Sequence, residues 1–260
     1  MNAYTGLAGS YDGLTADVDY TLWLRWYLRW LRKEKEPVET VLDLACGTGT
    51  LTCLLAKEGY DLIGVDASPD MLAQAMDKAL ELEEEQRPLL LCQSMDRLAL
   101  YGQVDAVVCS LDSLNYLTDQ RALRRTVAGI SQYLRPRGLF LFDVIPAWEF
   151  ARRDGQVFVD EDEDTLCLWR ANYDKRTRVI TYGLDLFEQD ADRRWLRSQE
   201  EHRERGWDLD FLREVLTGQG FGEIEVYGAD RKKRPDERDE RVYFACRKSN
   251  HNLEYYNDVR

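Results

Sequence analysis

The apolar run Val41-Leu42-Asp43-Leu44 breaks into Ala45-Cys46-Gly47-Thr48-Gly49-Thr50, and the next apolar segment closes on Gly64-Val65-Asp66. Small residues and glycine at the end of a strand let the chain turn sharply, so that a ligand can approach the backbone where the following helix begins. This is the local architecture of a nucleotide-type cofactor site. A dinucleotide fingerprint would read G-x-G-x-x-G, with an acidic residue roughly 20 positions on for the ribose hydroxyls. Here Ala45 takes the first small position and Thr52 stands where the third glycine would be. The loop is a poor pyrophosphate clamp, while Asp66 still suits the ribose.

The rest of the chain fits an α/β fold. Apolar strands expected at 38–44, 61–66, 89–93, 104–110 and 139–145 alternate with helices at 50–58, 68–85 and 119–134. That rhythm implies a doubly wound, mostly parallel sheet with ligands at the carboxyl ends of its strands. Ser68-Pro69 is a natural helix start, because serine caps the turn and proline at the first helical position loses no needed bond. A helix over 18–31 carries Val18, Leu22, Trp23, Trp26, Tyr27, Trp30 and Leu31 at three- and four-residue steps. Packing on its own domain explains this helix better than a membrane surface does.

After Ile145-Pro146 the period changes. Segments 157–160, 165–173, 179–188 and 195–204 alternate apolar and polar residues, which implies a small antiparallel sheet. We read residues 1–146 as N-terminal helices plus the cofactor-binding half, 147–205 as an inserted lid, 206–248 as the remainder, and 249–260 as a tail. Strands at 223–227 and 241–247 complete the main sheet.

Composition removes several functions. A net charge of −13 over 260 residues opposes the phosphate attraction on which nucleic-acid binding relies. Arg231-Lys232-Lys233-Arg234 is followed by Asp236, Glu237, Asp239 and Glu240, so it reads as a solvated mixed-charge loop. The six cysteines lie far apart and read as reduced core thiols of a cytoplasmic protein. Two histidines and no C-x-x-C or H-E-x-x-H motif give no support for a metal site. No signal peptide or membrane span is expected, since arginines interrupt the one amphipathic candidate.

The D-x-A-C-G-T-G run with Asp66 resembles the first motif of the class I S-adenosylmethionine-dependent methyltransferases. Tyr11-Asp12, the Ser113 to Leu117 segment and Glu201-His202-Arg203 resemble small-molecule members with an inserted antiparallel sheet, such as sugar N,N-dimethyltransferases and glycine N-methyltransferase. The resemblance implies a seven-stranded Rossmann-like sheet whose last strand is antiparallel, with S-adenosylmethionine as cofactor. It places Asp43, Ala45, Gly47 and Gly49 around the methionine part and Asp66 on the ribose. Ala67, Ser68 and Met71 then lie toward the adenine, with Met95 on the ring, Asp96 on the amino group and Cys109 at the end of the fourth strand. Ser68, Met71 and Asp96 serve equally as a cap, a core residue and a second cap.

On the acceptor side, neither an N-P-P-Y or D-P-P-Y turn nor a Pro-Cys nucleophile is present, which argues against nucleic-acid amine and pyrimidine-carbon methylation. Asp112, Ser113, Asn115 and Tyr116 could orient a small hydroxyl, amine or carboxylate, or bond to the loop backbone. Tyr11 is a candidate hydroxyl near the sulfonium, and Tyr4 and Tyr20 precede the first strand with it. His202 could serve as base, and Arg203 could pair with an acidic substrate. The expected function is methyl transfer to oxygen, nitrogen or carbon of a small molecule by a monomer or homodimer. A tRNA or rRNA methyltransferase and a non-catalytic S-adenosylmethionine-binding regulator are the alternatives.

Overall fold

The computed structural model describes residues 11–15 and 18–250. Tyr4, His251 and most of the proposed tail lie outside them. In chain order the principal elements are α1 (Tyr11–Leu14), α2 (Tyr20–Leu31), β1 (Thr40–Leu44), α3 (Thr50–Lys57), β2 (Asp61–Asp66), α4 (Pro69–Leu80), β3 (Leu89–Cys92) and β4 (Val104–Cys109). They continue with α5 (Gln120–Tyr133), β5 (Leu134–Val144), α6 (Ala147–Arg153), β6 (Val157–Glu161), β7 (Thr165–Asp174), β8 (Val179–Gln189) and β9 (Trp195–Arg205). The chain returns through α7 (Leu209–Gly218), β10 (Phe221–Tyr227) and β11 (Val242–Lys248).

Seven strands form one sheet in the order β10-β11-β5-β4-β1-β2-β3, and β6 to β9 form a separate four-stranded antiparallel sheet. β1, β2, β3, β4 and β5 pair in parallel, whereas β11 runs antiparallel to both β5 and β10. The fold is therefore the doubly wound sheet that the strand and helix rhythm implies, with the one reversed strand that the family resemblance implies. Alternate residues of the central strands enter opposite cores, as a pleated strand requires. Leu42, Val107, Phe140 and Phe142 belong to one core, while Val41, Ala106, Val108, Leu139 and Leu141 join Trp23, Trp26 and Tyr27 of α2 in the other. The Trp-rich helix thus packs on its own sheet.

Boundaries shift where side chains cap or bend the backbone. α2 starts at Tyr20 because Asp19 accepts from the Leu22 N–H at 3.1 Å. β5 begins before Pro136-Arg137-Gly138 instead of after it, with a register irregularity opposite Val104 to Ala106. α1 and α6 have too few turns to produce a periodic signal in sequence. The six cysteines are free, but only Cys53, Cys109, Cys167 and Cys246 are buried; Cys92 is exposed on the edge strand β3. Arg231 also departs from a solvated reading. It donates to the Leu22 carbonyl and the Tyr243 hydroxyl and lies over the Trp23 and Tyr243 rings.

Candidate active site

A cavity of about 370 Å³ opens at the carboxyl ends of β1, β2, β3 and β4. Asp43, Ala45, Gly47, Asp66, Ala67, Met71 and Met95 line it, with Tyr11, Tyr20, Ser113 and Tyr116 on its remaining walls. Gly47 has φ +55°, and a Cβ built there meets no atom within 4 Å, so the bare backbone faces open space. Gly49 acts differently. At φ +75° it starts α3, and a Cβ there would approach Ala75 to 2.9 Å, so it holds α3 against α4 from behind the loop.

Asp66 ties the turns after β1 and β2 together. Its carboxylate accepts from the Gly47 N–H at 2.9 Å and the Ser68 N–H at 2.8 Å. Burial raises its pKa above the usual carboxylate range, although these backbone bonds oppose the shift. Asp43 is buried and accepts the Thr52 hydroxyl at 2.6 Å. Thr52, in place of a third glycine, therefore anchors the first acid of the motif. Burial pushes Asp43 up to about 6. Ser68 caps α4 through the Met71 N–H, so it is a cap at the cavity wall.

α1 is fastened to this loop. The Thr48 hydroxyl donates to Asp12 at 2.7 Å, and Lys78 reaches Asp12 at 2.6 Å while also donating to Thr48 and Thr50. Tyr11 is thereby set between the cavity and the four-stranded sheet, where it packs against the cluster of Cys167, Leu184 and Leu186.

Five site assignments need correction. Asp96 turns away from the cavity and bonds Arg125 and Ser94 at 2.6 and 2.7 Å, and the Arg125 bond holds its pKa low. Ser94 and Met95 line the wall in its place. Cys109 is fully buried in the core, and the wall begins one residue later at Ser110, which shares a 2.5 Å bond with Tyr27. Asn115 is fully buried and donates to the Ile145 and Arg205 carbonyls at 2.8 Å each, accepting from the Ile145 N–H at 3.1 Å. Its amide joins the two ends of the segment that carries the four-stranded sheet, spends both of its N–H donors there and is closed off from the cavity. Arg203 is exposed, because the pleat of β9 puts it on the face opposite His202 and Glu204. Gly49, as described, is structural.

His202 sits behind Tyr116. It is 1% exposed, with Nδ1 3.2 Å from the Tyr116 hydroxyl and Nε2 3.2 Å from Glu200. Burial lowers its pKa, so the ring is neutral near pH 7. The cavity meets the phenol and not the imidazole.

A third acid was legible and overlooked. Asp143 interrupts the apolar run Leu139 to Val144, and it is 0% exposed. Its Oδ2 accepts from the Asp112 N–H at 2.9 Å and from Arg241, which also bonds Asp112 at 2.6 Å. Burial pushes Asp143 up to about 6 despite Arg241. Leu111 and Asp112 both adopt left-handed backbone, with φ +54° and +53°, a strained pair for residues bearing side chains. The Asp143 and Arg241 bonds hold this strain in place beside the cavity.

The family model "Methyltransferase domain" matches residues 41–138. YqeM of Bacillus subtilis (strain 168), classed as a methyltransferase with no substrate named, is 31% identical over 248 residues, covering 95% of this chain and 97% of its own. The chain belongs to the class I S-adenosylmethionine-dependent methyltransferases. An S-adenosylmethionine-dependent methyltransferase from Clostridium acetobutylicum ATCC 824 superposes with a TM-score of 0.83 at 26% identity, covering 95% of this chain and all of that one. Over a shorter stretch, the glycine/sarcosine N-methyltransferase of Parasynechococcus marenigrum (strain WH8102) is 32% identical across 40% of this chain and 37% of its own. S-adenosylmethionine is the cofactor of this methyltransferase, and the open backbone at Gly47 and the Asp66 carboxylate on the cavity wall fit it.

Proposed function

We propose that this methyltransferase modifies a compact small molecule under its four-stranded sheet, in the cytoplasm. The observation that carries this reading is the enclosure of the cavity by three tyrosines, Tyr11, Tyr20 and Tyr116, with Tyr11 and Tyr116 backed by the lid. Such a wall admits a small nucleophile more readily than a folded RNA, and the charge of −13 adds to that preference. The glycine/sarcosine N-methyltransferase relative supports a small acceptor. Free cysteines support a reducing compartment, and among the described residues no helix is long and apolar enough to cross a membrane.

Asp66 is assigned to the ribose, and the Ala45 to Thr48 backbone with Asp43 to the methionine end. Ala67, Met71, Ser94 and Met95 flank the adenine. The cofactor supplies a methyl group on a cationic sulfur, so the acceptor's lone pair forms the new bond while the carbon–sulfur pair stays on sulfur as a neutral thioether. The protein then contributes alignment and exclusion of water. Tyr116 faces the acceptor, and His202 acts on it as a positioning residue. A panel of cell metabolites assayed for S-adenosylhomocysteine release tests the reading; turnover with RNA alone would overturn it.

The Tyr116 and His202 assignment has its own expected result. Tyr116→Phe and His202→Ala should each lower kcat by up to about tenfold, the scale of one lost hydrogen bond. S-adenosylmethionine affinity should stay unchanged, and the double variant should be no slower than the worse single one. Additive losses would separate the two residues. A lost acidic limb in the pH profile of His202→Ala would make the imidazole a base.

A further inference from the structure

The inner face of β9 holds a carboxyl group that none of the foregoing uses, set between His202, bonded to Tyr116, and Arg205, whose carbonyl accepts from Asn115. Glu204 projects from the inner face of β9, is 5% exposed, and has no ion pair among the described residues. Its Oε2 is buried with no hydrogen-bond partner. Its one side-chain contact of this kind is with the carboxyl of Asp112, whose chain neighbours Leu111 and Ser113 line the cavity. The nearby cations are already engaged. Arg241 is bound to Asp112 and Asp143, and Arg153 to Glu149 and the Tyr182 hydroxyl.

A buried carboxyl that meets a second acid and no free guanidinium needs either a proton or a cation from outside. The surroundings suit a cation. Tyr11 and Tyr182 lie close enough to feel these acids, Tyr11 that of Asp112 and Tyr182 those of Glu204 and Asp112, and phenol rings attract an ammonium through their faces. An acceptor carrying its own carboxylate would add a further acid where both guanidiniums are occupied.

We propose that Glu204, with Asp112, recognises the acceptor as an ammonium ion with no carboxylate beside it, and that Glu204 takes the proton this nitrogen must lose before it can attack. The inference rests on the reading of the cavity as the methyl-transfer site. It sets this chain apart from relatives named for glycine, a zwitterion. The protons balance. The free site holds one proton on Glu204, whose burial favours the neutral form, and the amine arrives protonated. The complex, written as ammonium with carboxylate or as free amine with carboxylic acid, retains a single proton, so binding releases the other to solvent. After transfer the nitrogen carries the positive charge formerly on sulfur, and Glu204 returns to its protonated free state.

The test is calorimetric titration of the S-adenosylhomocysteine-saturated full chain with propylamine, propan-1-ol and glycine, in two buffers of different ionisation enthalpy. Propylamine should bind at least about tenfold more tightly than the other two and release about one proton, so its affinity rises with pH. Glu204→Gln should lose more than about tenfold of that affinity while keeping its S-adenosylhomocysteine affinity. Equal binding of amine and alcohol, no amine binding at all, or an unaffected Glu204→Gln would each overturn the proposal. Absence of S-adenosylhomocysteine binding would instead overturn the methyl-transfer site itself. Should Glu204→Gln fail to fold, wild-type protein labelled with ¹³C at the glutamate carboxyls supplies the answer. One glutamate carboxyl should respond to propylamine and not to propan-1-ol, and a spectrum with no such response would overturn the proposal.

Discussion

Replacing Arg241 with methionine should destabilise the protein by on the order of 3 kcal/mol, the low end for removing one partner of a buried ion pair. The low end applies because the Arg241 side chain is 24% exposed, whereas Asp143 is fully buried with Oδ1 already lacking a hydrogen-bond partner. For a chain of this size the thermal midpoint should fall by about 6–12 °C. The pH dependence follows from the acid left behind. Asp143 is raised to about 6 by burial in the presence of Arg241, and without the guanidinium it rises further. A carboxyl with a raised folded-state pKa favours folding below its unfolded value, and that advantage disappears as pH rises through the folded value. The gap between variant and wild type should therefore widen from about pH 6 upward. Denaturant midpoints at pH 6 and pH 8 check this, and a gap that narrows would show that Asp143 is not the acid involved. Loss of activity should exceed loss of fold, because the strained Leu111 to Asp112 backbone would relax.

Asp66→Ala should weaken S-adenosylmethionine binding by at least about 1.5–3 kcal/mol, or roughly 10–150-fold, as expected for bonds to a charged group. The carboxylate also accepts from Gly47 and Ser68, so the substitution loosens the turns on both sides of the cavity as well as removing the proposed ribose contact. Asp66→Asn keeps one acceptor oxygen and should lose less. Titration calorimetry separates the three proteins, and wild-type affinity in Asp66→Ala would move the ribose site elsewhere.

The sheet was legible because its strands are short, apolar and punctuated, and because the acid and glycine positions of the β1 turn share one local geometry. The four antiparallel strands could be read from their alternation. Other features depended on contacts that no local pattern carries. Asn115 lies in a polar loop suited to substrate contact, yet its partners Ile145 and Arg205 are 30 and 90 positions away in sequence. Asp96 bonds Arg125, 29 positions on, across a helix face that the strand order alone does not define. Glu204 looked like one charge among many between Glu200 and Arg205, since period-two alternation says which residues share a face but not which face meets the sheet. Asp143 is the exception. A lone aspartate inside Phe140-Leu141-Phe142-Asp143-Val144 is an expensive residue to bury, and its composition alone marked it.

The Asn115 clasp fixes both ends of the segment that carries the four-stranded sheet. One amide holds the chain as it leaves for the lid at Ile145 and as it comes back at Arg205, and Gly206 sits so close to Ala147 that a Cβ there would approach it to 2.5 Å. A segment tied at both ends to the Tyr116 loop cannot swing from those ends without breaking these bonds. On the other side of the cavity α1 is held by Asp12 to Thr48 and Lys78, with the Asp12 side chain 43% exposed, and by Tyr11 packed against Cys167, Leu184 and Leu186. Replacing Asp12 with alanine should therefore loosen α1 and shorten the residence time of spent cofactor, which stopped-flow release of S-adenosylhomocysteine measures.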